Sequence, residues 1–102
     1  MKRPLRESDI EKYLVKQVKA LGGEVRKVRW IGRCGAPDRV AMLPPGEERF
    51  TYGGNYRTIW IELKAPGIKP EPHQLREHER MRKMGQRVEV VGSCERVDEV
   101  LA

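Results

Sequence analysis

Residues Thr58–Gly67, TIWIELKAPG, read as a buried β-strand that ends on two charges. Side chains alternate along a strand, so Glu62 and Lys64 point to one side and Ile59, Ile61 and Leu63 to the other. The aliphatic half belongs against a core. The charged half places a carboxylate and an ammonium about 7 Å apart along the chain, at about 3.4 Å per residue. Ala65-Pro66-Gly67 then ends the strand at once, which opens space beyond the two charges.

Outward from this strand, the pattern predicts the order α-β-β-β-α-β-α. The first helix is expected from about Ser8 to Leu21, with Ser8 and Glu11 as a capping box and Gly22-Gly23 as the stop. Ile10, Leu14, Val18 and Leu21 form its apolar stripe. Strands follow over Glu24–Trp30, where Val25 and Val28 alternate imperfectly with basic residues, and over Asp38–Leu43. A hairpin with its tip near Gly53-Gly54-Asn55 leads to the strand Thr58–Lys64. Pro72 opens a second helix to about Met84, and Gly85 caps it. Arg87–Val91 is the last strand, and Ser93 caps a terminal helix to Leu101. A strand, helix and strand in sequence imply a right-handed crossover between parallel neighbours. The expectation is an α/β fold, a small mixed sheet of about four strands flanked by helices.

The chain's 102 residues suit one domain, 1–102, with a single modest core. Its 21 Lys and Arg outnumber 15 Asp and Glu, a net charge of +6 that favours a polyanionic partner such as nucleic acid. Cys34 and Cys94 form no CxxC pair, as expected of a reduced intracellular protein. No apolar run reaches the roughly 18 residues that would cross a bilayer, so no membrane role is expected.

Asp38 follows Pro37 at the mouth of the second strand, and Glu62 and Lys64 end the third. If those strands are neighbours, Asp38 and Glu62 converge on one point. Mg²⁺ is commonly held by one or two carboxylates together with water and substrate phosphate. The Leu63 carbonyl, between Glu62 and Lys64, could add an oxygen. Lys64 would then stand where charge develops on an attacked phosphate. These are the parts needed to hydrolyse a phosphodiester.

Pro37-Asp38, a spacer and Glu62-Leu63-Lys64 resemble the PD-(D/E)XK nuclease signature. Gly35-Ala36-Pro37-Asp38, Ile61-Glu62-Leu63-Lys64-Ala65-Pro66, and Gln74 ahead of Met84-Gly85 resemble the VRR-Nuc branch of that superfamily, from the first helix to Val91. The resemblance implies a restriction-endonuclease-like core and a DNA endonuclease dependent on Mg²⁺ or Mn²⁺. It implies that Asp38, Glu62 and the Leu63 carbonyl bind the metal, with Lys64 catalytic and Gln74 on the following helix in support. It places a further acid on the first helix: Glu7 matches the frequent glutamate, and Glu11 falls on the core-facing arc, so Glu11 ranks first and Glu7 close behind. It further implies a stand-alone homodimer acting on branched DNA such as four-way (Holliday) junctions, in a bacterial or phage-infected cytoplasm.

Each residue also has a plainer reading. Asp38 suits a turn. Glu62 and Lys64 suit the wet side of a half-exposed strand. Glu11 and Gln74 both stand where helix caps favour them. His73 and His78, five residues apart, suit the surface, and Trp30 and Trp60 suit packing. Arg26, Lys27, Arg29 and Arg33 are the densest basic cluster and the expected DNA phosphate contacts, or else an ordinary solvated face. The alternative functions are a non-catalytic nucleic-acid-binding module and a protein-interaction subunit whose basic surface meets an acidic partner.

Overall fold

The computed structural model describes residues 3–44 and 57–102. The hairpin tip expected near Gly53-Gly54-Asn55 lies outside them. The elements are α1 (Glu7–Ala20), β1 (Glu24–Lys27), β2 (Arg39–Leu43), β3 (Arg57–Leu63), α2 (Pro72–Lys83), β4 (Val88–Val91) and α3 (Cys94–Leu101). They form one four-stranded sheet in the order β1-β2-β3-β4. The first three strands are antiparallel, and β4 runs parallel to β3 after the α2 crossover. Order and fold class match the expectation drawn from the sequence.

The α1/α3 side of the sheet holds the aliphatic core. Ile59, Ile61 and Leu63 of β3 and Ala41 and Leu43 of β2 meet Ile10, Leu14 and Val18 of α1 and Val97, Val100 and Leu101 of α3. The alternation of β3 puts Trp60 and Glu62 on the other side, which α2 covers with Glu77, His78 and Met81 buried.

Two local expectations are corrected. The Ser8–Glu11 capping box does not form. The helix begins at Glu7, and the Asp9 carboxylate accepts the Arg6 N–H at 2.8 Å. Arg3 grips that carboxylate at 2.6 and 2.8 Å, so Asp9, three residues after Arg6, takes the capping role and Ser8 falls inside the first turn. The first strand also ends earlier, at Lys27 rather than Trp30. Val28 N–H still donates to the Asp38 carbonyl at 2.9 Å, but the partner strand is headed by Pro37, which has no N–H to continue the ladder. Among the described residues no helix is long and apolar enough to cross a membrane.

Candidate nuclease site

The β2–β3 register brings the two strand acids together. Arg39 pairs with Ile61. One step further along, Asp38 stands across from Glu62, with both side chains on the α2 side of the sheet. Two steps along, Pro37 stands opposite Leu63. Lys64 N–H donates to Val91 and Trp60 N–H to Arg87, both toward β4, so the alternating Leu63 carbonyl faces the β2 side. Pro37 has no N–H to offer it. The Pro37 carbonyl is itself taken by the Trp30 indole N–H at 2.7 Å. Register and proline together leave a backbone oxygen beside the two acids.

The loop that carries Asp38 is tied to α2 at two points. Gly35 has φ +85°, and a Cβ there would come within 2.8 Å of the His73 carbonyl. Only glycine accepts both that backbone conformation and that approach. Two residues earlier, Arg33 Nε donates to Glu77 Oε2 at 3.1 Å, and Arg80 holds the other Glu77 oxygen at 2.7 Å. Burial opposes the Glu77 charge, yet Arg80 and Arg33 hold its pKa below the ordinary glutamate value.

Glu62 is only 6% exposed. Burial, and after it the nearby Asp38 charge, pushes its pKa up to about 7, with Lys64 pulling the other way. Glu62 Oε1 and Asp38 Oδ1 are both buried without a hydrogen-bond partner. Two such acceptors facing one another are costly alone, and one cation shared between them removes the cost. Among the described residues no three His, Cys, Asp or Glu side chains are grouped as a ready metal cage. The donor set is two carboxylates and a carbonyl, which suits a hard divalent cation that keeps its other positions for water and phosphate. The residues therefore fit Mg²⁺ or Mn²⁺.

Lys64 Nζ donates to Gln74 Oε1 at 2.9 Å, and the same oxygen accepts the Glu71 N–H at 2.7 Å. Gln74 thus serves as a helix cap and as the support of Lys64 at once. The two first-helix acids part company. Glu11 accepts from Arg39 Nε at 2.5 Å. Arg39 shares the α1 side of the sheet with Ile61, so Glu11's partner lies across the sheet from Glu62. Arg39 Nη1 also reaches Asp38 Oδ2 at 3.1 Å, which orients Asp38 while leaving Oδ1 unpaired. Glu7 is exposed, and its charge adds to the rise in the Glu62 pKa.

The basic cluster is only partly free. Arg26 pairs with Glu24 at the surface and Arg33 is committed to Glu77, whereas Lys27 and Arg29 are exposed. The sequence reading missed Lys12, Lys16 and Lys19. Their spacing puts them on one face of α1, and with Lys27 they line a groove between α1 and β1 that begins at Glu11. It also misplaced His78, which is fully buried with Nε2 3.5 Å from Glu62 Oε1. The signal was there: His78 is four residues after Gln74, one helical turn on, and so on the same face of α2.

A mixed sheet with paired carboxylates and a lysine at the end of its central strands is an α/β scaffold of nuclease type. No family model matches the chain. It is 44% identical over 91 residues to "Putative nuclease p44" of Acyrthosiphon pisum secondary endosymbiont phage 1, a match spanning 89% of this chain and 87% of that protein. A solved structure described as a VRR_NUC domain is similar with a TM-score of 0.74 at 44% identity, over 93% of this chain and 92% of the other. The chain belongs to the VRR-Nuc family of nuclease domains.

Proposed function

We infer that the protein is a divalent-metal-dependent DNA endonuclease whose reacting groups are Asp38, Glu62, the Leu63 carbonyl and Lys64. The observation that carries this reading is the pair of unpartnered buried carboxylate oxygens, Asp38 Oδ1 and Glu62 Oε1, beside the Lys64–Gln74 pair. A pure binding module gains nothing by burying Glu62 against Asp38.

Asp38 and Glu62 would hold Mg²⁺ or Mn²⁺ with the Leu63 carbonyl. When bound, the ion supplies Lewis acidity toward a phosphate oxygen and toward water. Hydrolysis joins a water oxygen to phosphorus and breaks one P–O ester bond, with a proton passing from the water to the departing oxygen. Lys64 extends a fixed ammonium to the phosphate, and Gln74 keeps it from swinging away. Glu7, exposed at the start of α1 and already acting on Glu62 through its charge, is the first-helix acid better placed to join. Glu11, bonded to Arg39, acts through Asp38 instead.

Lys27 and Arg29, together with Lys12, Lys16 and Lys19 along α1, form the surface proposed for the DNA backbone. Branched DNA, four-way junctions in particular, is the proposed substrate and a homodimer the proposed form. Both rest on the family resemblance and on the fit of a twofold dimer to a twofold junction. The test uses labelled four-way junctions with Asp38→Asn and Lys64→Ala. Both variants should lose cutting by at least about 10²-fold, the range found when a transition-state donor is removed, while still shifting the junction on a gel. Normal cutting by either variant would move the chemistry elsewhere. A wild type that binds but never cuts would leave a binding module.

A further inference from the structure

The β3 and α2 elements face each other with matched spacing. Two residues along β3 advance about 6.8 Å, and four along α2 about 6 Å. The chain reverses between the two elements, so Lys64 meets Gln74 at 2.9 Å and Glu62 meets His78 at 3.5 Å. The first pair is a closed hydrogen bond. The second is not: Glu62 Oε1 and both ring nitrogens of His78 are buried without partners. A buried imidazole with neither nitrogen satisfied is rare in a folded core.

Several other features carry less. Cys34 is a lone exposed thiol. The cleft lined by Trp30, Trp60, Met81 and Met84 has nothing on it to say what fills it. The α1 lysines already belong to the proposed DNA surface. His78 is different, because its unmet hydrogen-bonding capacity points straight at one atom of the site.

We propose that His78 is a positioning residue for the metal site: its Nε2–H closes onto one lone pair of Glu62 Oε1 when a cation draws on the other, which fixes the direction in which the carboxylate meets the ion. This rests on the metal-nuclease reading above and extends it to a residue that touches neither metal nor DNA. Outer partners of this kind set ligand direction and basicity in metal sites. An imidazole carries at least one N–H in either charge state, so His78 has a proton to give.

The experiment measures Mn²⁺ affinity calorimetrically, without DNA, for the wild type, His78→Leu and His78→Gln, with folding checked by circular dichroism. The leucine variant fills the space but donates nothing, and should bind Mn²⁺ at least about 10-fold more weakly. The glutamine variant, whose amide can reach Oε1, should stay within about 3-fold of the wild type, and that rescue is what a packing role would not produce. Should His78→Leu fail to fold, His78→Asn takes its place, since its amide is too short to reach and should bind as weakly. Equal Mn²⁺ affinity in the wild type and His78→Leu would overturn the assignment, as would equal loss in the leucine and glutamine variants. A wild type that binds no Mn²⁺ would remove the metal reading itself, and this inference with it.

Discussion

On the α1/α3 side of the sheet, Ile59, Ile61 and Leu63 pack into an aliphatic cluster with residues of β2, α1 and α3. On the α2 side, one residue out of step along the same strand, Glu62 faces Asp38 and His78 with buried atoms unpaired, and Glu77 is held between two arginines. The difference comes from the pleat of β3 alone. One side supplies the stability that lets the other keep groups a folded chain would otherwise neutralise or expose. Breaking each side should therefore have opposite signatures.

The largest change in stability is expected from the aliphatic side. Leu14→Ala removes a fully buried side chain of α1 and should cost about 2–5 kcal/mol in urea unfolding. Cutting at temperatures where the variant stays folded should remain close to normal. A loss below 1 kcal/mol would mean that α1 is not seated on the core as described.

On the polar side the sign reverses. The metal-free fold raises Glu62 from 4.5 to about 7, so between those values the folded chain holds a proton that the unfolded chain has released. Stability of the metal-free protein therefore falls as pH rises through that window, and the penalty is complete above about pH 7. Glu62→Gln removes it and should be more stable than the wild type by about 1–3 kcal/mol at pH 8 in chelator, a pKa unit being worth about 1.4 kcal/mol. At pH 4.5 the difference should vanish. Equal stability at both pH values would show that Glu62 is not strained in the absence of metal.

A smaller effect belongs to the outer surface, where neither rule applies. Replacing Lys12, Lys16 and Lys19 together with glutamine should leave melting within about 1 °C, because surface substitutions away from special features cost little. It should flatten the salt dependence of duplex binding, each lost phosphate contact reducing the slope by about 0.9. An unchanged slope would move the DNA path off the α1–β1 groove.

The periodicity of Thr58–Lys64 made the sheet legible, because alternation and the Pro-Gly breaks have few other solutions. Asp38 and Glu62 were expected to converge only if their strands were neighbours, and β2 and β3 are. Gln74 was read as either cap or support of the site, and a single oxygen performs both tasks. What the sequence could not carry were contacts across elements. Arg39 looks like any strand cation until Glu11 and Asp38 are seen on either side of it. The Ser8–Glu11 box failed because Arg3, outside the helix, favoured Asp9 instead. His78 was placed at the surface from its spacing to His73, when the partner that mattered was Gln74, one turn away.

The central claim is that Asp38, Glu62 and Lys64 form one metal-dependent nuclease site. It is tested most directly by incubating the wild type with labelled four-way junctions and matched linear duplexes, in Mg²⁺, in Mn²⁺ and in excess chelator. The account predicts cutting of the junction with either ion, little cutting of the linear duplex and none in chelator. Undiminished cutting in chelator would contradict it.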